Sequence, residues 1–272
     1  MNMVTKIIIA THKKYKMPND KSYLPLQVGA ILNDDLGYEK DSIGDNISNK
    51  NPSFCELTGL YWAWKNLDAD YIGLVHYRRY FSYKKVSKDP FKNILTDKQI
   101  NELTQKFDLI IPKKRHYYIE SLYTHYKHTH YETQLNETRE ILSQQYPEYL
   151  RAYDQMVKKS WGYMFNMMIL RKNLLDNYCT WLFNILFELE KRVDNGEVKN
   201  SQNLSSFQAR FYGRISEILF NVWLKYQLDN GIIENSKVKN LKVINIGKID
   251  WGRKLQSFIL AKFFNKKYDR SF

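Results

Sequence analysis

The sequence predicts an α/β fold with a mainly parallel central sheet flanked by helices. Two short apolar runs, VTKIIIA at Val4–Ala10 and YIGLV at Tyr71–Val75, lack helical periodicity and are typical of buried parallel strands. Longer segments, such as residues 173–194, carry apolar side chains at helical spacing over one wide face. Strands that alternate with such helices favour an α/β architecture.

The first part of the chain is predicted to hold two strands, a long loop and one helix. The first strand ends at Thr11, and a polar segment rich in turn-forming residues follows over 14–52. A loop of this length inside a compact domain is more often functional than idle. Ser53, with Glu56 three positions later, is typical of a capping box and predicts a helix over residues 54–67.

The second part is predicted to alternate in the same way. We expect strands at FDLIIPKK, WGYMFNMMILRK and KVINIG, which are residues 107–114, 161–172 and 242–247. We expect helices over residues 120–150, 173–194 and 205–228. Because no internal repeat or low-complexity linker divides the chain, residues 1–250 are predicted to form one domain and residues 251–272 a tail.

The composition indicates an anionic partner and a reducing environment. The 42 basic residues outnumber the 29 acidic ones, which favours nucleic acid, a nucleotide, a phosphorylated lipid or a membrane surface without choosing among them. Cys55 and Cys179 are too few for a zinc site or a disulfide framework and are predicted to be buried free thiols. No apolar run is long enough for a signal peptide or a membrane span, so we expect a cytoplasmic protein that can contact the inner face of the membrane.

Familiar catalytic and metal motifs are missing from the sequence. Phosphate-binding loops, dinucleotide-binding glycine patterns, nucleophile elbows and H-E-x-x-H motifs do not occur. His125, His128 and His130 have no acidic or cysteine partner at ligand spacing, which favours a polar or acceptor-facing helix over a metal site. Asp68 and Asp70 form a D-x-D pattern, but they precede a strand, whereas ligands in open α/β sheets bind beyond the carboxyl ends of strands. We therefore predict a polar turn there.

The carboxyl end of the strand at Tyr71–Val75 is the strongest candidate site. The chain continues as His76, Tyr77, Arg78 and Arg79, close to the predicted end of the first strand. Guanidinium groups match phosphate oxygens bidentately and stay charged at all relevant pH values. Because successive residues of a strand point to opposite sides, at most one of the two arginines is expected to face the cleft.

Several stretches of the sequence resemble one protein family. ATHKKYKMPND, LNDDLGYEKDSIGDNISNKNP with FCELTGLYWAWKNL, YIGLVHYRRYF and YMFNMMILRK are together similar to the bacterial DUF4422 family over residues 4–250. Members occur among capsular and exopolysaccharide synthesis enzymes and look like glycosyltransferases, some of which use a UDP-sugar to transfer galactose or galactofuranose. The resemblance implies a GT-A-like fold, which is a single Rossmann-type nucleotide-binding domain.

The resemblance also implies a function and a set of binding residues. The expected reaction moves a hexose, galactofuranose or galactopyranose, from a UDP-sugar to a lipid-linked or oligosaccharide acceptor in capsule, O-antigen or exopolysaccharide synthesis, with inversion. The residues expected to bind the nucleotide and diphosphate are Thr11, His12, Lys13, His76, Tyr77, Arg78 and Arg79. The residues expected to bind sugar or acceptor are Asn46, Tyr163 and Asn166, the last by matching an asparagine on a strand of related transferases.

The sequence departs from the usual GT-A pattern where that pattern holds a metal. Residues 76–80 stand in place of the aspartates that bind Mg²⁺ or Mn²⁺. Because arginines can stabilise the charge of a departing UDP as a metal does, no cofactor is predicted to be required, and Mg²⁺ or Mn²⁺ dependence is left open. Three carboxylates are candidates for the catalytic base: Asp45 in the long loop, Glu56, which is also the capping-box acid, and Glu217 on an otherwise apolar helix.

The tail and the net charge leave other interpretations open. Residues 251–272 carry six basic, one acidic and six aromatic residues, which favours attachment to anionic lipid, with a packed terminal helix as the alternative. A nucleic-acid-binding protein would fit the net charge of +13, but the basic residues are spread along the chain and no nucleic-acid motif occurs, so no nucleic-acid partner is predicted. A non-catalytic subunit that binds a sugar nucleotide is a third interpretation.

Overall fold

The computed structural model describes residues 3–247. Its strands are β1 (Thr5–Thr11), β2 (Tyr23–Gln27), β3 (Glu39–Lys40), β4 (Tyr71–His76), β5 (Arg79–Ser82), β6 (Leu109–Pro112), β7 (Arg115–His116), β8 (Trp161–Gly162), β9 (Met168–Arg171) and β10 (Val238–Asn245). Its helices are α1 (Asn51–Phe54), α2 (Leu57–Asn66), α3 (Asp97–Thr104), α4 (Leu122–Thr129), α5 (Glu132–Gln145), α6 (Leu150–Met156), α7 (Lys172–Asp194) and α8 (Phe211–Asp229).

An eight-stranded sheet forms the centre of the fold, and it is mixed. Its order is β3-β2-β1-β4-β5-β10-β6-β9, and β9 also pairs with β4. Parallel pairs join β1 to β2, β1 to β4, β2 to β3 and β6 to β10, whereas β4–β5, β4–β9, β5–β10 and β6–β9 are antiparallel. The α/β prediction is confirmed, but the prediction of a mainly parallel sheet is wrong.

The antiparallel pairing of β9 with β4 depends on a close approach of the two backbones at Gly73 in β4. An added Cβ there would lie 2.8 Å from Cγ1 of Ile169 and 2.9 Å from the carbonyl oxygen of Met168. A backbone oxygen cannot move aside as a flexible side chain can, so this pairing requires glycine at position 73.

The predicted strand over residues 161–172 is interrupted by a turn. Only Trp161–Gly162 and Met168–Arg171 are strands, as β8 and β9. Between them Phe165 and Asn166 adopt φ values of 79° and 51°. Two successive non-glycine residues in the left-handed region are unfavourable on their own, so contacts from the rest of the fold must hold them there.

The predicted long loop over residues 14–52 contains β2, β3 and a buried carboxylate. Asp41 is 0% exposed and accepts four hydrogen bonds. The donors are the backbone N–H groups of Gly29 and Ala30 and the hydroxyls of Ser48 and Thr58. One anion therefore fixes the end of β2 and the loop against the first turn of α2.

Apolar residues cover both faces of the sheet. Along β1, Ile8 belongs to one core cluster with α2, α7 and α8, while Ile7 and Ile9 belong to a second cluster with α3. This alternation follows from the two-residue period of a strand. The run of apolar residues in β1 therefore fills two layers, which leaves its polar carboxyl end free to form a site.

Two predictions concern the ends and the thiols of the chain. The predicted tail, residues 251–272, and the boundary at residue 250 lie outside the described residues. None of the helices within residues 3–247 is long and apolar enough to cross a membrane. Cys179 is buried in α7 as predicted, whereas Cys55 is half-buried at the junction of α1 and α2 with a φ of 53°; both are free.

Candidate active site

The carboxyl ends of the parallel strands β1 and β4 lie side by side, with Ala10 paired to His76. Thr11, the last residue of β1, is fully buried, and its hydroxyl accepts from the N–H of Lys13 at 3.2 Å and donates to the carbonyl of Lys13 at 2.7 Å. Such a local hydroxyl–backbone turn ends the strand and leaves His12 and Lys13 exposed at the sheet edge. Three of the predicted nucleotide-binding residues thus share one turn.

Aromatic rings gather beside this turn. The ring of Tyr77 lies 5.4 Å from that of His12, edge-on, and 4.5 Å from that of Tyr15. Partial desolvation beside these rings, followed by the positive charges of Lys13 and Arg210, lowers the pKa of His12 and so favours its neutral imidazole. The group offers flat, uncharged faces of the kind on which nucleobases stack.

The adjacent arginines after β4 point to different places, because Arg78 lies in the turn between β4 and β5 whereas Arg79 is the first residue of β5. Arg78 is exposed, its carbonyl accepts from the N–H of Ile246, and its guanidinium lies beside Gly247. Arg79 is half-buried, and its guanidinium lies 4.6 Å above the centre of the Phe165 ring. Arg79 is therefore the one that joins the turn at Phe165 and Asn166.

Backbone groups of Phe165 are fixed by two predicted site residues. The N–H of Phe165 donates to Oε1 of Glu217 at 3.1 Å. The carbonyl of Phe165 lies 2.6 Å from Nε2 of His76. Because a carbonyl oxygen can only accept, Nε2 carries the proton in this bond.

Asn166 connects α2 to α8 through its side chain. Its Nδ2 donates to Oε1 of Glu56 at 2.8 Å and to the carbonyl of Gly213 at 3.1 Å. Its Oδ1 accepts from the hydroxyl of Ser216 at 3.0 Å. The predicted capping box is wrong: Ser53 donates instead to the carbonyl of Lys50, and Glu56 turns toward Asn166. Tertiary hydrogen bonding displaces the local cap, so the capping explanation of Glu56 does not hold.

Positive charge surrounds the two glutamates. Arg214 lies 3.3 Å from Oε1 of Glu217, and Arg115 lies 5.7 Å from the centre of the Phe165 ring. Among residues 3–247 no carboxylate forms an ion pair with Arg79 or Arg115. Burial lowers the pKa of Arg79, with the charge of Glu217 acting in the opposite direction. We call Glu56, Arg79, Arg115, Arg214 and Glu217, together with the Phe165–Asn166 turn, the turn cluster.

Comparisons with known proteins now place the chain in a family. The family described as "Domain of unknown function (DUF4422)" matches residues 6–228. The chain belongs to the DUF4422 family. Among solved structures, the apo structure of WbbM, a bifunctional glycosyltransferase, matches 90% of this chain at 30% sequence identity and a TM-score of 0.80. The chain covers 46% of that protein. No curated protein sequence shows significant similarity to the present chain.

Asp45 and Asn46 do not reach the turn cluster of this DUF4422 protein. Asp45 is exposed, accepts from the hydroxyl of Tyr61, and exchanges hydrogen bonds with Asn66, the last residue of α2. Glu56 precedes the first residue of α2, and a ten-residue helix is about 15 Å long. The hydrogen bonds of Asn46 stay within its own loop: its amide donates to the carbonyls of Ser42 and Gly44 and accepts from the N–H of Ser48. Asp45 therefore lies beside the last turn of α2, at the other end of that helix from Glu56.

Tyr163 lies next to the cluster, held by a residue that the sequence did not single out. Asn221 accepts from the N–H of Tyr163 at 2.8 Å and donates to its carbonyl at 2.9 Å. Arg115 and Arg214 were also missed, although the sequence carried signals for both. Arg115 follows an apolar strand as Arg79 does, and Arg214 precedes Glu217 by three residues on one helix face.

The residues after β4 do not fit a divalent metal. Mg²⁺ and Mn²⁺ prefer oxygen ligands, whereas β4 ends at His76 and is followed by Tyr77 and two arginines, and Nε2 of His76 is already engaged by a carbonyl. The D-x-D residues form a turn at the amino end of β4, as predicted, where Asp70 accepts from the N–H of Val4. Within residues 3–247 no group of three His, Cys, Asp or Glu side chains is arranged to hold a metal.

The histidines of α4 do have an acidic partner. Nδ1 of His125 and Nδ1 of His128 lie 2.8 Å and 2.6 Å from the two carboxylate oxygens of Glu120. The prediction that these histidines lack an acidic partner is wrong, because Glu120 folds back from the residue before the helix N-cap. His130 points elsewhere, into a buried contact with Phe207.

Proposed function

We propose that this DUF4422 protein is a glycosyltransferase that uses a UDP-sugar. The observation that carries the proposal is the turn cluster, where Arg79 and Arg115 form no ion pair within residues 3–247 and lie near two glutamates at the carboxyl ends of β1 and β4. That edge is where open α/β sheets bind ligands. The likeness to a bifunctional glycosyltransferase supports the same reaction class. Galactose or galactofuranose is the hexose we propose, and a lipid-linked or oligosaccharide glycan is the acceptor.

In this proposal the diphosphate of the donor lies between Arg79 and Arg115. Both guanidiniums approach the Phe165 ring, at 4.6 Å and 5.7 Å. Desolvation disfavours a half-buried guanidinium unless an anion compensates for the lost hydration, and the described residues offer neither arginine an ion pair. A diphosphate would supply that compensation and would be held bidentately.

The uracil would lie on the β1 side, against Tyr77 and the neutral ring of His12. Thr11 and Lys13 shape this end of the cleft, and Lys13 can reach a phosphate as a point charge. His76 contributes indirectly, because its Nε2–H holds the carbonyl of Phe165 and so fixes the ring on which Arg79 lies. Arg78 points away from the turn cluster and would contribute to donor binding only through its general positive field.

We propose Glu56 as the general base and Glu217 as a positioning residue. Oε1 of Glu217 already accepts from Phe165 and Arg214, and the residue is only 4% exposed. Glu56 is half-buried and accepts from a neutral amide, so an acceptor hydroxyl can approach it more readily. The carboxylate of Glu56 would take the hydroxyl proton as the hydroxyl oxygen bonds to the anomeric carbon. The bond between the anomeric carbon and the β-phosphate oxygen breaks at the same time, and UDP leaves with its electron pair. Attack from the face opposite UDP inverts the anomeric centre.

The transfer is proposed to need no metal, because arginines stabilise the departing diphosphate electrostatically. The test is a thermal-shift screen over UDP-sugars, including UDP-galactofuranose, followed by donor hydrolysis and transfer assays in excess EDTA. A raised Tm with UDP and full turnover in EDTA are the expected results. Activity restored only by Mn²⁺ would reject metal independence, and UDP binding without turnover would favour a non-catalytic subunit.

We also propose that residues 251–272 attach the protein to anionic membrane. Six basic and six aromatic residues fit the composition of interfacial segments. Flotation with anionic liposomes should fall when residues 256–272 are deleted, and unchanged flotation would reject the anchor. Donor hydrolysis by the same truncated protein serves as the control for folding.

A further inference from the structure

A basic and aromatic surface extends the turn cluster on the side away from β1. It comprises residues 113–119 (KKRHYYI) and 158–163 (KKSWGY), which we call the platform. These two segments contain five Lys or Arg and four Tyr or Trp, but no Asp or Glu. Such a concentration of one sign of charge with aromatic rings is unlike a mixed solvent-exposed surface and needs an explanation.

Backbone pairing holds the two segments together as one surface. β7 and β8 pair antiparallel, with Arg115 opposite Gly162 and His116 opposite Trp161. The N–H of Tyr117 donates to the carbonyl of Ser160 at 2.8 Å. The lysines that flank each strand therefore lie on neighbouring stretches of a fixed scaffold.

Cations and rings of the platform are already in contact with each other. The ammonium of Lys114 lies 3.6 Å above the centre of the Trp161 ring and 5.8 Å from that of Tyr163. The guanidinium of Arg115 lies 5.1 Å from the centre of the Tyr117 ring. Rings fixed in this way can stack on the apolar faces of sugars, while the cations above them can meet an acidic group.

The acid nearest in sequence does not neutralise the platform. Glu120 is buried, and its two carboxylate oxygens are taken by His125 and His128. The two residues that precede Glu120 are exposed, Tyr118 at 86% and Ile119 at 65%. The platform therefore presents its positive charge and its apolar surface to solvent together.

The platform is continuous with the proposed reaction centre. Arg115 belongs to both, and Tyr163 is two residues before Phe165. In the sheet, β4 separates β1 from β9 and β6, and β7 follows β6 by two residues. The nucleotide side with Tyr77 and the platform thus lie on different sides of the turn cluster.

We propose that the platform binds the acceptor, and that this acceptor is an anionic glycan bearing a phosphate or carboxylate group. This inference rests on the proposed transferase function and adds the charge class and location of the second substrate. The acidic group would be a sugar phosphate or diphosphate, or a uronate within the chain; both would meet Lys114, Arg115 and Lys159. The sugar rings would stack on the aromatic side chains.

Binding of three probes without donor tests the proposal. They are an alkyl-linked sugar diphosphate, a short oligogalacturonate and a neutral alkyl glycoside, titrated by calorimetry into the full chain. At least one charged probe should bind about tenfold more tightly than the neutral one and weaken as salt rises from ~50 to ~300 mM. The tighter of the two identifies phosphate or carboxylate. Equal affinity for the neutral and charged probes would overturn the proposal.

Matched variants locate the binding. K114Q and W161A should each weaken the charged probe about five- to tenfold and leave the UDP dissociation constant within about twofold. K98Q, which removes an exposed lysine on α3, should change neither constant. If K98Q weakens the probe as much as K114Q, the platform is not the site. If the wild-type protein does not bind UDP, the transferase function is rejected instead. K114Q keeps the strand pairing, so it remains informative even if W161A fails to fold.

Discussion

Asp41 is fully buried, whereas the glutamates of the turn cluster are buried (Glu217) and half-buried (Glu56), and the partners of these carboxylates differ in kind. Asp41 accepts four hydrogen bonds at 2.5–3.0 Å, all from neutral groups within residues 29–58. Glu56 and Glu217 meet donors from distant parts of the chain, Asn166 and Phe165, in the company of three arginines. The first carboxylate is closed off by its own loop, and the other two lie where a ligand can add to the contacts.

We interpret the difference as one between a structural acid, Asp41, and the two acids to which we assign a functional role, Glu56 and Glu217. A buried carboxylate saturated by neutral donors stabilises the fold and has no lone pair to offer a substrate. At the turn cluster, positive charge exceeds the two carboxylates, and two φ values above 50° are held in place by long-range hydrogen bonds. Backbone strain and unbalanced charge of this kind are typical of sites that bind a ligand.

The largest expected effect is on turnover. E56Q keeps an oxygen to accept from Asn166 but cannot take a proton, so transfer should fall about 10²–10⁴-fold. The UDP dissociation constant and the unfolding midpoint should stay near their wild-type values. Steady-state transfer, UDP calorimetry and urea unfolding measure the three quantities. If E217Q rather than E56Q shows this pattern, the assignments of base and positioning residue are reversed.

The next effect is on stability and belongs to the other region. D41A leaves the donors of Gly29, Ala30, Ser48 and Thr58 without their acceptor, so the free energy of unfolding should fall by about 2–4 kcal/mol. Urea unfolding measures it, and turnover per folded molecule should be preserved. A stable D41A protein that has lost UDP binding would contradict the separation between the two regions.

Adjacent arginines provide a smaller and closely matched comparison. R79K loses the planar fork that lies on Phe165, so UDP should bind about tenfold more weakly. R78K changes the preceding residue, whose guanidinium faces Gly247, and should weaken UDP binding by less than about twofold. Calorimetry with UDP at fixed ionic strength distinguishes them. If neither variant weakened UDP, donor binding would sense only net charge, and an equal loss in both would mean that Arg78 contacts the donor as closely as Arg79 does.

The smallest effect concerns the thiol beside the proposed base. Burial, with a smaller contribution from the charge of Glu56, raises the pKa of Cys55 to about 12, and burial also raises that of Cys179. Since the thiolate is the reactive form, both thiols should resist a disulfide reagent at pH 8 in the native protein and react fully in urea. Rapid labelling of one thiol in the native state would show that the junction of α1 and α2 opens readily.

Local pattern was sufficient for part of this fold. β1, β4 and α7 follow from short-range periodicity, and the position of the D-x-D turn follows from the direction of β4. The mixed sheet does not, because it depends on contact between Gly73 and residues 168 and 169, which are remote in sequence. Tertiary contacts also redirect Glu56 from the helix start to Asn166, 110 residues away.

The site was partly predictable for the same reason. Strand ends predicted that Thr11, His12 and Arg79 lie near the carboxyl ends of β1 and β4, where the structure places them, whereas choosing among the acids required the fold. Asp41 and Asp45 lie four residues apart in one loop, yet the first is buried under four donors and the second is exposed at the far end of α2. Nothing in their immediate sequence distinguishes them, since the partners of each are supplied by the folded chain.

The most direct test is an experimental structure of the protein with UDP bound in the presence of EDTA. We expect the diphosphate within hydrogen-bonding distance of the guanidinium of Arg79 or Arg115, the uracil beside Tyr77, and Glu56 on the side from which an acceptor would approach. UDP bound away from these residues, beside Asp45 or Asp70, would contradict this expectation.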